Sequence, residues 1–165
     1  MSRTSLEHWQ CSLARSADIV GDKWTLMILR DAFFGLSTFS QFQKNLQIAR
    51  NVLSDRLDKL VQHGILRREP VRPGVERYRY QLTEAGQELF PVIVALTQWG
   101  DKWVFGAQGE PLVLVDREKG APVQAVGLQA RDGRYLRAAD VTFVPGPNAP
   151  AELVARYARQ RPPER

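Results

Sequence analysis

Five arginines lie close together in residues 63–83, where their side chains could bind an anion. The same segment contains only two acidic residues, Glu69 and Glu76. Arginine suits contact with phosphate because its planar guanidinium is always charged and weakly hydrated. The segment therefore predicts contact with a polyanion, and the alternative is a solvated hairpin whose arginines only keep an edge strand soluble. The five are Arg67, Arg68, Arg72, Arg77 and Arg79.

The residues around these arginines alternate between polar and apolar, which predicts two paired strands at 65–69 and 77–82. Tyr78, Tyr80 and Leu82 should share one face of the second strand. Its arginines should occupy the other face. Pro70, Pro73 and Gly74 are typical of a turn at the tip of the hairpin.

The sequence before the hairpin has apolar residues at three- and four-residue spacing, which predicts successive helices joined by short turns. A helix, a short turn and a second helix followed by a hairpin form a winged helix-turn-helix. The expected fold class is therefore α+β. The residues expected to cap or end these helices are Ser12, Gly21, Asp22, Gly35, Ser40 and Gly64.

The second helix of a helix-turn-helix enters the major groove of DNA, so polar residues near its start could read bases. Arg50, Asn51 and Ser54 lie there, off the apolar face. Arginine pairs well with guanine and asparagine with adenine. The alternative is that these residues are only solvated, with Asn51 as a local cap. Asp55 and Asp58 would repel phosphate, and they are expected to pair with Arg56, Lys59 or another protein group.

A long helix is predicted after Thr83, its N-cap, with Pro91 as a kink. Its apolar stripe exceeds what the small helical body can cover, so a second copy of the chain is the expected cover. The residues expected at this homodimer interface are Leu89, Leu96, Trp99 and Trp103.

Residues 104–160 differ in pattern and predict a small β-rich extension. Three short strands are expected, with turns at Gly120 and Gly133, followed by a helix from Ala151 to Arg159. A disordered tail is expected at 161–165, where the residues are Arg, Pro, Pro, Glu and Arg.

The composition narrows the class of protein. The formal charge of +5 agrees with a polyanionic partner. No apolar run predicts a signal peptide or membrane span, so a cytoplasmic location is expected. The two histidines, His8 and His63, lie far apart, and no phosphate-binding glycine loop occurs. Neither an enzyme nor a cofactor is therefore expected, and the competing class is an interaction or ligand-binding module that does not bind DNA.

The order of the motifs resembles the HxlR-type regulators, winged-helix relatives of the MarR group in bacteria. The matching pieces are Cys11 and the segments 21–35, 38–43, 52–66, 80–86 and 96–103. The resemblance implies a DNA-binding domain over residues 1–103. It also implies a homodimeric transcription factor at the bacterial nucleoid that binds an inverted-repeat operator in double-stranded DNA, with repression as the expected effect. Lys23 lies in a strong family motif and is expected to serve as scaffold or phosphate contact.

Several members of this family respond to oxidants or electrophiles through the N-terminal cysteine, so the resemblance implies a redox sensor at Cys11. Its position before Ser12 at the start of a helix would favour the thiolate, with Arg15 one turn on. An inert packing role is the alternative, and a small-molecule effector is a further expectation. No metal is expected, because the extension has no cysteine where longer members carry zinc ligands; Lys119, Gln129 and Asp132 occupy such positions.

Overall fold

The structure is a computed structural model that describes residues 5–72 and 77–160. The hairpin tip expected at Pro73 and Gly74 and the tail expected at 161–165 lie outside the described residues. The chain divides into two compact units, one up to Ala125 and one from Val126. The functional boundary expected after residue 103 stays a prediction.

The first unit has the α+β winged-helix arrangement that the sequence predicts. Four helices precede an antiparallel hairpin, and two helices follow it. A π-helical turn at Asp101–Phe105 and a 3-10 turn at Gly106–Gln108 complete the helical part. The elements are α1 (Ser12–Val20), α2 (Lys23–Phe33), α3 (Phe39–Leu46), α4 (Arg50–Gln62), β1 (Leu66–Pro70), β2 (Tyr78–Leu82), α5 (Glu84–Gln87) and α6 (Phe90–Gly100).

Two predicted helix caps are confirmed. The Asp22 carboxylate accepts hydrogen bonds from the backbone N–H groups of Trp24 and Thr25, at 3.0 and 3.3 Å. The Thr83 hydroxyl accepts one from the N–H of Gly86 at 3.1 Å. Both side chains satisfy donors that the first turn of a helix leaves without an intrahelical partner.

Two other predicted helix starts are wrong by one or two positions. Ser12 is the first residue of α1, and Cys11 takes the N-cap position without a side-chain hydrogen bond. Ser40 lies inside α3, which is capped by Thr38. The Thr38 hydroxyl accepts from the N–H of Gln41, and the Gln41 side chain accepts from the N–H of Thr38. This reciprocal capping box satisfies two donors, whereas a cap at Ser40 would satisfy one.

The core of the first unit lies between α2, α3, α4 and the hairpin. Leucines at 53, 57 and 60 repeat every three or four residues, so they form the buried face of α4 and leave the opposite face to solvent. The buried Asp31 carboxylate of α2 accepts a hydrogen bond from Asn45 of α3 at 2.7 Å, which joins the two helices, and it pairs with its neighbour Arg30 at 2.6 Å. The largest buried apolar side chains are Ile28, Leu29, Phe42, Leu53, Leu57, Leu60 and Leu66.

The hairpin pairs in the register Leu66 with Leu82, Arg68 with Tyr80 and Pro70 with Tyr78. Leu66 and Tyr80 are buried, so this face of the hairpin is turned toward the helices, and its far end at Pro70 and Tyr78 is exposed. Arg67 and Arg79 lie on the opposite face because side chains alternate along a strand. Residues 37–38 lie alongside β2, to which they are joined by an isolated antiparallel bridge between Thr38 and Arg79.

The long helix predicted after Thr83 is interrupted at residues 88–89, and the kink expected at Pro91 is therefore wrong. Pro91 lies in the first turn of α6, where its missing N–H costs no intrahelical hydrogen bond. Phe90 packs against Phe33 of α2 with ring centroids 4.9 Å apart. Leu89 and Ile93 also pack against the core, so this side of α6 faces its own chain.

The strands predicted in the extension are much shorter than expected. Among the described residues, segment 112–123 pairs only through an isolated bridge between Val115 and Pro122 and the backbone hydrogen bonds beside it, from the N–H of Val123 to Leu114 and from the N–H of Asp116 to Ala121. The predicted turns do occur, with Gly120 and Gly133 at φ of 63° and 86°. The second unit contains β3 (Leu128–Gln129), β4 (Tyr135–Leu136), a 3-10 turn (Ala138–Asp140) and α7 (Ala151–Gln160). Within residues 5–72 and 77–160, no helix is both long and apolar enough to cross a membrane.

Candidate nucleic-acid interface

The first two turns of α4 carry the residues predicted to read bases. Arg50 and Asn51 are exposed on its first turn, and Ser54 follows one turn later, half-buried. The turn from α3 into α4 contains Gln47 in the left-handed conformation, with φ of 49°. Arg50 and Asn51 are exposed because they lie at the N-terminal end of α4, before the first of its buried leucines.

A groove of about 390 Å³ lies between the start of α3, the start of α4 and the hairpin. We refer to it as the hairpin groove. It brings together three of the predicted site residues, Arg50, Ser54 and Arg77. The side chains that line it are those of Thr38, Phe39, Ser40, Arg50, Ser54, Arg77, Tyr78 and Tyr80.

Arg50 lies at the edge of the hairpin groove with its guanidinium over the ring of Phe39, 5.1 Å from the centroid. A cation over an aromatic face is attracted by the ring but keeps its hydrogen-bond donors at the edges. None of the ion pairs in the described part of the chain involves Arg50. Its charge is therefore held in place without being neutralised by a carboxylate.

Arg68 links the hairpin to α4. Its guanidinium lies 4.6 Å from the ring centroid of Tyr78 and 3.8 Å from the Asp58 carboxylate. The Ser54 hydroxyl donates to the same carboxylate at 3.5 Å. Asp58 thus pairs with another protein group, as expected for an acidic residue on this helix. Arg68 is partly neutralised, and it ties the hairpin to the side of α4.

The other wing arginines are placed differently. Arg67 lies on the far face of the hairpin, where it donates to Gln81 at 2.9 and 3.1 Å and pairs with Glu69 at 2.9 Å. Arg79 is exposed on the same face, opposite Glu69. Arg72 and Arg77 are exposed on either side of the hairpin tip. The structure therefore brings only part of the predicted arginine set to the hairpin groove.

Sequence reasoning missed the first turn of α3 as part of this groove. Thr38, Phe39 and Ser40 line it, and Phe39 supports Arg50. The signal was present, because a Thr followed three residues later by Gln is the pattern of a capping box. It would have placed the start of α3 at Thr38, whereas the position of that start beside α4 depends on tertiary packing.

Arg56 and Lys59 do not pair with Asp55 or Asp58, so that part of the expectation is wrong. Arg56 forms an ion pair with Asp22 at 2.8 Å, and Lys59 donates to the backbone carbonyl of Asp18. The hydrogen bond from Arg56 holds the pKa of the Asp22 carboxyl below its ordinary value. The same bond raises the pKa of Arg56.

The outward side of α6 and the turn after it expose a row of large apolar residues, Val92, Leu96, Trp99 and Trp103. We refer to them as the outer α6 face. Leu96 is 49% exposed, Trp99 57% and Trp103 66%. Leu89, which the sequence also predicts at the dimer interface, is half-buried against the core of its own chain.

The remaining candidates lie near the starts of α1 and α2. Cys11 is exposed, and the Arg15 guanidinium donates to the backbone carbonyl of Trp9 at 3.1 Å. Lys23 is exposed at the start of α2, with its ammonium 5.3 Å from the ring centroid of Trp24. Among the described residues, no three His, Cys, Asp or Glu side chains are grouped so that they could hold a metal ion.

Comparison with known proteins identifies the relatives of this chain. The HxlR-like helix-turn-helix family matches residues 19–107. An uncharacterized HTH-type transcriptional regulator of Mycobacterium bovis is 41% identical over 144 residues, which are 87% of this chain and 91% of that protein. An uncharacterized HTH-type transcriptional regulator of Mycobacterium tuberculosis matches to the same extent.

Solved structures agree with these sequence matches. The crystal structure of PA1607, assigned as a transcription factor, has a TM-score of 0.80 and 40% identity, and covers 86% of this chain and 99% of that one. The redox regulator HypR in its reduced form has a TM-score of 0.52 and 26% identity over 56% of this chain and 92% of its own. This chain belongs to the HxlR-like helix-turn-helix family and is a transcriptional regulator with a helix-turn-helix DNA-binding domain.

Proposed function

We propose that this regulator binds an inverted-repeat operator in double-stranded DNA as a homodimer and represses the adjacent gene at the bacterial nucleoid in the cytoplasm. The observation that carries the proposal is the hairpin groove, which places Arg50 and Ser54 of α4 beside Arg77 of the hairpin. A helix that reads bases and a wing that holds the backbone must approach the same DNA segment together.

In this proposal α4 enters the major groove. Arg50 and Asn51 are exposed on its first turn, where a recognition helix contacts base edges. An arginine can donate two hydrogen bonds to a guanine, and an asparagine can pair with an adenine. Ser54 already donates to Asp58, so its part in reading bases is secondary.

The wing holds the DNA backbone chiefly through Arg72 and Arg77, which flank the tip, and through the exposed Arg79. Arg67 and Arg68 each have a carboxylate partner in the protein, and we assign them mainly to the shape of the hairpin. Lys23 adds a phosphate contact from the start of α2, where the positive end of the helix dipole favours an anion.

The homodimer forms through the outer α6 face, with Trp9 and Leu13 adding to the buried surface. Aromatic side chains bury roughly 150–250 Å² each when they are fully covered, so the half-exposed Trp9, Trp99 and Trp103 together offer roughly 250–450 Å² per chain. A standard interface buries about 800 Å² per partner, so the aliphatic residues Leu13, Val92 and Leu96 and their neighbours must supply the rest. Two-fold symmetry would set the two α4 helices about one turn of DNA apart.

Selection of duplexes from a randomised pool tests this function, and it should return an inverted repeat with half-site centres about 10 base pairs apart. Arg72→Ala should then weaken binding to the selected duplex and to unrelated DNA alike, and should reduce the slope of log affinity against log salt by about one. Arg134→Ala removes a cation from the second unit and is the control. A wild-type protein that enriches no sequence would support the alternative, an interaction or ligand-binding module.

We further propose that Cys11 senses oxidants or electrophiles. The thiol is exposed at the N-cap of α1, where a reagent in solution can reach it. HypR is a redox regulator with solved reduced and oxidised structures, and it is 26–29% identical to this chain over 56% of the length of this chain. With one cysteine in the chain, oxidation would join Cys11 to its copy in the partner subunit or to a small thiol, and a quinone would add directly to the sulfur.

Titration with diamide or benzoquinone is expected to change the affinity of the wild type for the selected duplex. Cys11→Ser should be insensitive, because a hydroxyl does not react with either reagent at neutral pH. Mass spectrometry confirms that Cys11 is modified. Unaltered affinity of the modified wild type would leave the cysteine as a surface residue without a sensing role.

A further inference from the structure

The side of α4 that does not face the hairpin groove carries two cations one helical turn apart, Arg56 and Lys59. Each contacts the junction between α1 and α2. The Arg56 Nε donates to Asp22 Oδ1 at 2.8 Å, and its Nη2 donates to Oδ2 at 3.4 Å. Both side chains of this pair are less than a third exposed. Such a two-point, charge-assisted contact is directional as well as attractive.

Asp22 has two tasks at once. Its Oδ1 accepts from the N–H groups of Trp24 and Thr25, which begins α2, and it also accepts from Arg56. A carboxylate is favoured at this position by the positive end of the helix dipole. One side chain therefore joins the first turn of α2 to the middle of α4.

Lys59 makes the second link. Its ammonium donates to the backbone carbonyl of Asp18, in the last turn of α1. Carbonyls in the last turn of a helix have no intrahelical donor, and a cation there also meets the negative end of the dipole. No residue of α1 is fully buried, and Val20 at its end packs against the core, so the hydrogen bond from Lys59 adds a directional contact to a small apolar one.

The buried leucines of α4 restrict its position less than the hydrogen bonds of Arg56 and Lys59 do. Apolar contacts are non-directional, and cores tolerate small shifts when volume is conserved. Leu53, Leu57 and Leu60 keep α4 against the core, but directional bonds at its other side restrict its rotation and its sliding along the axis.

We infer that Arg56 and Lys59 are positioning residues, which hold the recognition helix in register with the α1–α2 junction through Asp22 and the carbonyl of Asp18. They act on DNA recognition without touching DNA. The inference rests on the proposed function, since it concerns how the base-reading turn of α4 is held.

Asp22→Asn tests the link from the junction side. The amide oxygen of asparagine can still cap α2, whereas the charge that pairs with Arg56 is gone. We expect the affinity for the duplex selected from the random pool to fall about tenfold, and the affinity for unrelated DNA and the salt slope to stay as in the wild type. Arg56→Met should lose the same affinity for the selected duplex, and Arg56→Lys should lose less of it. The double variant Asp22→Asn/Arg56→Met should lose no more affinity than either single variant.

The control is Arg134→Met, which breaks an ion pair of similar length, 2.9 Å to Asp132, in the second unit. Thermal unfolding of every variant shows whether it is folded at the temperature of the binding assay. The inference would be overturned if a variant lost affinity equally for selected and unrelated DNA, or if Asp22→Asn bound like the wild type. It would also be overturned if Arg56→Met lowered the salt slope by about one, because that change marks a phosphate contact. A wild type without sequence preference would overturn the proposed function, and the inference with it.

Discussion

Arg50→Ala is expected to lower the preference of the protein for its operator over unrelated DNA by about 1 to 3 kcal/mol, roughly five- to 150-fold. The reason is that a bidentate contact to guanine discriminates between bases, whereas a phosphate contact does not. Arg50 is suited to that contact, because its guanidinium is oriented by Phe39 without a carboxylate to neutralise it. The measurement is the ratio of affinities for the selected duplex and a scrambled duplex at one salt concentration.

Arg50→Lys is the matched variant. It keeps the charge but loses the planar fork, so it should retain affinity for unrelated DNA and lose most of the preference. Because Arg50 is exposed, neither variant should change the unfolding temperature appreciably. If Arg50→Ala weakened both duplexes equally, Arg50 would be a phosphate contact and α4 would not read bases through it.

Trp99→Glu is expected to convert the protein from a dimer to a monomer at micromolar concentration. Trp99 is 57% exposed at the middle of the outer α6 face. Aromatic residues at the centre of an interface typically cost about 2 kcal/mol or more when truncated, and a buried unpaired carboxylate adds to that loss. Sedimentation velocity measures the change directly. Affinity for the inverted repeat should fall to that of a single half-site.

Phe143→Glu provides the control for this experiment. Phe143 is another exposed aromatic residue, but it lies in the second unit and outside the outer α6 face. It should leave the wild-type dimer intact. A wild type that sediments as a monomer and binds one chain per operator would contradict the dimer, and so would a Trp99→Glu variant that remains dimeric.

Periodicity and capping chemistry by themselves determined where α2 and α4 run and where the hairpin begins. The leucines of α4 repeat at helical spacing, and Asp22 and Thr83 cap the helices that follow them. The hairpin followed from alternation over two short segments. These features depend on residues a few positions apart, so the chain carries their signal locally.

Local pattern was insufficient where two signals compete or where pairing is weak. Apolar residues at helical spacing continue from residue 85 to 103, but the helix is interrupted at 88–89. The interruption occurs because Leu89 and Ile93 pack against the core and Pro91 can begin a new helix. The extension alternates enough to predict three strands, but only two-residue strands pair in the second unit. A strand needs a partner in register, which its own residues do not specify.

Only the tertiary structure decided which charged residues meet. Arg56 pairs with Asp22, 34 positions away, and Arg68 rather than a neighbour on the helix pairs with Asp58. Five wing arginines look equivalent in the sequence, but Arg77 lines the groove, whereas Arg67 lies on the far face of the hairpin and is held by Gln81 and Glu69. The physical reason is that ion pairs and grooves join groups distant along the chain. Their geometry exists only once α2, α4 and the hairpin have packed on one core.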